Sequence, residues 1–121
     1  MKALLPLTIV ATLVAGTASA ACTAPDNIAK IPNGSKATKD EMVAAQRSVK
    51  AYDAAVKVFT DCLKTEQDAE IAAGGEKMTE DQKTKVAGRY AERQNVEVDK
   101  LQKAADKFNT ELKAYKAKNP S

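Results

Sequence analysis

Two long proline-free stretches dominate this sequence and limit what it can fold into. The first follows a T-x-x-E quartet that begins at Thr38, and the second follows a T-x-x-Q quartet that begins at Thr79. Both quartets fit the capping box that starts a helix. Gly74-Gly75 lies between the stretches, and glycine commonly ends helices, while Pro120 stops the second stretch. The sequence therefore predicts helices over about 39–73 and 80–118.

Apolar residues recur along both stretches at alternating spacings of three and four, which is the pattern of a coiled coil. If the chain folds back at Glu76-Lys77, the sequence positions of any two facing residues should add up to nearly the same value. We therefore predict an all-α fold, an antiparallel two-helix hairpin over residues 38–121. The predicted facing pairs are Met42 with Leu112, Ala45 with Phe108, Val49 with Ala105, Tyr52 with Leu101, Val56 with Val98, Phe59 with Gln94 and Leu63 with Ala91.

The first twenty residues have the composition of a secretory signal peptide. One lysine precedes an apolar run, and the run ends in small residues of the A-x-A type. We expect cleavage after Ala20, a periplasmic or secreted protein, and no membrane span, because the apolar run is shorter than the roughly 20 residues a span needs. Lipoprotein processing at Cys22 is the rival, but Ser19 stands where that signal needs a large aliphatic residue.

The chain has two cysteines, Cys22 and Cys62. In an oxidising compartment two cysteines usually pair, whereas a reactive couple usually shows C-x-x-C spacing, which is absent here. We therefore predict a structural disulfide. It would hold residues 21–37, which contain Pro25, Pro32 and a PNGS turn signal, as an extended strap on the first helix.

A second stripe of mostly small residues runs beside the seam of the first helix. A helix with so wide an apolar face needs a cover, and the strap, whose apolar residues include Ile28 and Ile31, is the expected one. If the strap were released, the same stripe would become an interaction surface. Its members are Ala44, Ser48, Ala51, Ala55 and Val58, followed by Cys62.

Composition excludes several classes of chemistry. The sequence has no histidine, so histidine-based nucleophile triads and His-x-x-x-His metal sites cannot occur. A formal net charge of +3 is too small to indicate nucleic-acid binding. We expect no catalytic residues, no cofactor and no metal site. The acidic run that includes Glu66 and Glu70 is interpreted as a solvated helix end, and Gly88 either allows a close approach or is tolerated within its helix.

The mature chain resembles a group of small uncharacterised secreted proteins of Gram-negative bacteria. The resemblance is carried by IPNGSKATKDEM, VFTDCL and VDKLQKAADKFNTELKAYKAK. It implies an exported helical protein and supplies no activity. MTEDQ, beginning at Met78, is also similar to the L-T-x-x-Q motif of Spy-type periplasmic chaperones, although methionine replaces leucine and the motif occurs once.

These observations together predict a non-enzymatic periplasmic protein with a structural or protein-interaction role. A client-binding stress chaperone is the alternative, and an enzyme ranks third. The expected partner is an unidentified protein, and a homodimer remains open.

Overall fold

The computed structural model describes residues 21–26, 28 and 30–121; the predicted signal peptide lies outside them. This part of the chain is all-helical, which confirms the predicted class. Helix α1 spans Lys39–Gly74, a 3₁₀ turn spans Gly75–Lys77, and helix α2 spans Glu80–Lys118. At about 1.5 Å per residue each helix is more than about 50 Å long. Neither helix has an apolar window long enough to cross a bilayer.

Side chains cap the N-terminus of each helix as their quartets predict. The Thr38 hydroxyl accepts from the backbone N–H of Glu41, whose carboxylate accepts in return from the N–H of Thr38. Thr79 and Gln82 exchange the same two bonds at the start of α2. Gly75 follows α1 with a φ of 55°, a left-handed conformation that favours glycine. These caps explain why the helix bounds can be found in the sequence.

One hydrophobic cluster joins the start of α1 to the end of α2. Its buried residues are Ile31, Met42, Ala45 and Phe108, and Leu112 packs against them. We call this the distal cluster. The expected neighbours Ala45 and Phe108 therefore lie in one cluster, where a small side chain leaves room for a large one.

A second cluster joins the end of α1 to the start of α2. Its buried residues are Cys22, Phe59, Leu63, Val86 and Tyr90, and it lies next to the chain connection between the helices. We call this the connector cluster. Two of its members, Val86 and Tyr90, were not assigned to the seam of α2 by the sequence.

The predicted pairs Phe59 with Gln94 and Leu63 with Ala91 are therefore wrong in this half. Ala91 is exposed and Gln94 is half-buried, whereas Val86 and Tyr90 are buried with Phe59 and Leu63. Glu97, which belongs to none of the predicted facing pairs, is only 3% exposed. At this end α2 packs against Cys22 as well as α1.

The segment before α1 contacts both helices, and so it covers more than the predicted stripe on α1. Cys22 lies in the connector cluster and Ile31 lies in the distal cluster. Between Ile31 and α1 the chain turns, with the N–H of Lys36 donating to the carbonyl of Asn33. The N–H of Gly34 donates to the Glu111 carboxylate on α2 over 2.7 Å. A Cβ at Gly34 would lie 1.7 Å from the backbone oxygen of Glu111, so this approach requires glycine.

Candidate functional site

A disulfide between Cys22 and Cys62 confirms the predicted pairing, and a polar frame surrounds it. The Cα atoms are 5.8 Å apart. The backbone N–H of Cys22 donates to a Glu66 carboxylate oxygen over 3.3 Å, and the guanidinium of Arg93 donates to the carbonyl of Cys22 over 3.1 Å. Arg93 also lies 3.8 Å from the other Glu66 oxygen. Cys22 is therefore held by a covalent bond to α1, a hydrogen bond to α1 and a hydrogen bond to α2.

A second polar group lies one turn further along α1. The Glu70 carboxylate accepts from the Tyr90 hydroxyl over 2.8 Å and from the guanidinium of Arg89. These two hydrogen bonds lower the pKa of Glu70. Burial, followed by the bond to Glu70, raises the pKa of Tyr90 to about 12. The interpretation of the acidic run as a solvated end is wrong for Glu66 and Glu70, which are half-buried and paired across the helices.

A buried tyrosine and carboxylate meet between the two hydrophobic clusters. The Tyr52 hydroxyl donates to Glu97 over 2.5 Å, and the Lys100 ammonium donates to the other Glu97 oxygen over 3.0 Å. Burial, followed by the bond to Glu97, raises the pKa of Tyr52 to about 12. Burial alone would raise the pKa of Glu97, but the hydrogen bonds from Tyr52 and Lys100 hold it below its usual value.

The sequence analysis missed this contact because a glutamate in a helix usually lies at the surface. A signal was present in retrospect: Tyr52 is a seam residue that carries a hydroxyl, and a buried hydroxyl needs a partner. The spacing of three from Glu97 to Lys100 is also the spacing of an ordinary ion pair on an exposed helix face. The spacing could not show that one of the two partners is buried.

The predicted interaction stripe is only partly covered. Ala44, Ala51 and Val58 are exposed, with Val58 at 69%, while Ser48 and Ala55 are half-buried. A groove of about 500 Å³ separates this part of α1 from the N-terminal segment. Its lining includes Thr23, Pro25 and Ile28 on the segment and Ser48, Ala51 and Ala55 on α1. Residues 23–26 and 28 therefore border this part of the stripe without filling the groove.

Another groove, of about 460 Å³, lies between α1 and α2, and those of its lining residues that the structure describes all belong to these two helices. Its apolar floor is formed by Val56, Val98 and Leu101, and Gln94 lies beside them. Asp53, Lys57 and Asp61 form the charged edge on α1. Val98 is 39% exposed, so an apolar side chain of this groove is accessible to a partner. We call this the open groove.

Comparisons of the chain with protein-family models, curated proteins and solved structures found no match.

Proposed function

We propose that this chain is an exported, non-enzymatic protein with a structural or protein-interaction role. In this proposal α1 and α2 form an antiparallel hairpin resembling a coiled coil, and residues 21–37 form a strap across it. Contacts of Glu70 with Arg89 near the connection, and of Met42 with Phe108 far from it, support the antiparallel arrangement. The disulfide is compatible with an oxidising compartment.

One observation supports a binding role most directly: one side of the helix pair is contacted by residues that precede α1, and the other side has an open groove. On one side Cys22 forms hydrogen bonds with both helices, and Gly34 forms one with α2. On the other side the open groove exposes Val98 between charged residues of α1. An apolar centre with a polar rim is the usual anatomy of a protein interface. We therefore assign the open groove as the surface that meets a protein partner.

The two pairs of a tyrosine and a carboxylate support a structural role for the contacts between the helices. Tyr52 and Tyr90 have pKa values raised to about 12, and each bonds a carboxylate whose pKa is lowered. General acid–base catalysis works best with a pKa near the operating pH. Near neutral pH these shifts keep all four groups in one protonation state, which suits fixed cross-links between helices.

Site-specific photo-crosslinking tests the open groove and has a matched control. A photoreactive amino acid at Val98 should give one discrete adduct in the cells that produce the protein. The same residue at Val96, which is 48% exposed and does not line the groove, should not. Mass spectrometry of the adduct then identifies a partner, or a second copy if the protein is a homodimer. Equal labelling at both positions, or none at Val98, would reject the groove as an interface.

A client-binding chaperone is the second candidate, and the exposed stripe on α1 favours it. Ala51 lines a groove that the strap leaves unfilled, and Val58 on the same stripe is 69% exposed. If the strap opens, the stripe could accept an extended or helical segment of an unfolded client.

The chaperone candidate is tested by comparing oxidised protein, reduced protein and Cys62→Ser for suppression of client aggregation, with thermal stability measured alongside. Greater suppression in both disulfide-free forms supports the chaperone. Lower stability without any gain in suppression leaves the disulfide with a purely structural role.

A further inference from the structure

We propose that the reduced form of this protein binds a divalent transition-metal ion through Cys22, Cys62 and Glu66. Zn²⁺ is the probe that fits this ligand set best, since two thiolates and a carboxylate are among its normal protein ligands. Metal binding and the disulfide would then exclude each other, because both use the same two sulfur atoms. The inference rests on the site geometry and is independent of the role assigned to the open groove.

The three ligand atoms are already gathered. The two Sγ atoms and a Glu66 carboxylate oxygen all lie within 4.8 Å of one another. Cys62 and Glu66 are four residues apart on α1, so they share one helix face. With Zn–S bonds of about 2.3 Å, tetrahedral binding needs the sulfur atoms about 3.8 Å apart. Breaking the disulfide allows that separation by small side-chain rotations, with the 5.8 Å Cα spacing retained.

The surroundings position these ligands without the disulfide. Glu66 accepts the backbone N–H of Cys22, and Arg93 donates to the carbonyl of the same residue. These contacts do not use the sulfur atoms, so they can keep Cys22 near α1 after reduction. Hydrogen bonds that orient metal ligands in this way strengthen a site.

The charge balance also favours a divalent cation. Two thiolates and one carboxylate carry three negative charges, and Arg93, 3.8 Å from Glu66, contributes one positive charge. A divalent ion therefore brings the site to neutrality. Cys22 is buried, and an uncompensated negative charge is costly at a buried position.

The disulfide must be reduced before the two sulfur atoms can bind a metal ion. A reducing dithiol transfers two electrons and two protons to the Cys22–Cys62 bond, which gives two thiols while the dithiol becomes a disulfide. Zn²⁺ then replaces the two thiol protons, and these are released to solvent. Three protein ligands leave one tetrahedral position for water. Reoxidation of the two sulfur atoms would expel the ion.

The test is a Zn²⁺ titration of oxidised and reduced protein against a chromophoric chelator. Reduced protein should bind one Zn²⁺ per chain and release about two protons per ion, whereas oxidised protein should not compete with the chelator. Co²⁺ should show a thiolate charge-transfer band in reduced protein only. Zinc held between two chains, or equal binding by the oxidised form, would overturn the proposal.

Two substitutions separate this site from nonspecific thiol binding. Glu66→Gln should weaken Zn²⁺ binding by about tenfold or more, the range seen when ligand support is lost. Asp68→Asn makes the same charge change on an exposed residue nearby and should shift the affinity less than about twofold. Equal affinity of Glu66→Gln and unsubstituted protein would overturn the three-ligand site. Circular dichroism must show that the reduced chain is helical with zinc bound; an unfolded zinc complex also contradicts the proposal.

Discussion

The two ends of the helix pair are held together by different chemistry. The connector cluster combines apolar packing with a disulfide and with ion pairs of Glu66 and Glu70 to α2. The distal cluster relies on apolar side chains, including Ile31, and on the close backbone approach and hydrogen bond at Gly34. At the distal end the apolar spacing found the neighbours Ala45 and Phe108 correctly. At the connector end, where a disulfide and ion pairs join the packing, the buried residues of α2 are different from the predicted ones.

The largest difference between the two ends should appear when the disulfide is removed. Closing a loop with a sequence separation of 40 stabilises a fold by about 4 kcal/mol in the chain-entropy model. Cys62→Ser should therefore lower the free energy of unfolding in urea by about this amount. Hydrogen exchange should rise more around Tyr90 than around Phe108.

Cys22→Ser and the double variant provide the control, because all three changes remove the same bond. The double variant should be no less stable than either single variant by more than about 0.5 kcal/mol. A loss below about 1 kcal/mol in Cys62→Ser would contradict the account of the connector end.

The distal end should be most sensitive at Gly34. In Gly34→Ala the new methyl group would collide with the backbone of Glu111, so the segment must move away from α2. Overpacking of this kind costs about 1–3 kcal/mol, and we expect the upper end because backbone atoms cannot rotate aside. Denaturant unfolding measures the loss, which should occur with the disulfide intact.

Gly88→Ala is the matched control for that substitution. A Cβ at Gly88 meets nothing within 4 Å, and the residue lies inside α2. The change should stabilise the protein by about 1 kcal/mol, because alanine favours helix over glycine. If Gly34→Ala is as stable as Gly88→Ala, the close approach at Gly34 is not limiting.

The contact between Tyr52 and Glu97 lies between the clusters and should couple them. Tyr52→Phe removes the hydroxyl from a buried carboxylate, which then keeps Lys100 as its hydrogen-bond donor. We expect a loss of about 2 kcal/mol in the free energy of unfolding. Glu97→Gln keeps an acceptor for Tyr52 and should cost less. A larger loss in Glu97→Gln than in Tyr52→Phe would show that the charge matters more than the hydrogen bond.

Alkaline pH should give the smallest effect and should act on the connector end and the middle of the pair. Tyr52 and Tyr90 have folded pKa values of about 12, above the ordinary value of about 10. Their stabilising contribution is complete below pH about 10 and is lost as the pH rises toward 12. At pH about 10.5 the loss should be on the order of 1 kcal/mol for each tyrosine.

Urea unfolding at several pH values, followed by helical circular dichroism, measures this slope. Tyr90→Phe and Tyr52→Phe should each reduce the slope between pH about 10 and 12. If neither substitution changes it, the two buried tyrosines do not cause the alkaline dependence.

Much of the fold could be predicted because the start and end of each helix are determined by residues close to them in sequence. Threonine caps, the Gly74-Gly75 break and Pro120 each act within a few residues, and two cysteines allow a single intramolecular pair. The burial of Tyr90 could not be predicted from spacing, because its cluster includes Cys22 from a segment distant in sequence. The spacing of four from Cys62 to Glu66 indicates a shared helix face, but it could not show that Glu66 also contacts the backbone of Cys22 and Arg93.

The spacing of the two cysteines has a consequence for the order of events during synthesis. Cys22 and Cys62 both precede Glu80, where α2 begins, so both sulfur atoms are made before any residue of the second helix. The disulfide can therefore form on a chain that still lacks Tyr90 and Arg93. In that order α2 packs against a surface to which both Cys22 and α1 contribute. A chain that ends before Glu80 should already form the Cys22–Cys62 disulfide under oxidising conditions, which is measured as the loss of both alkylatable thiols.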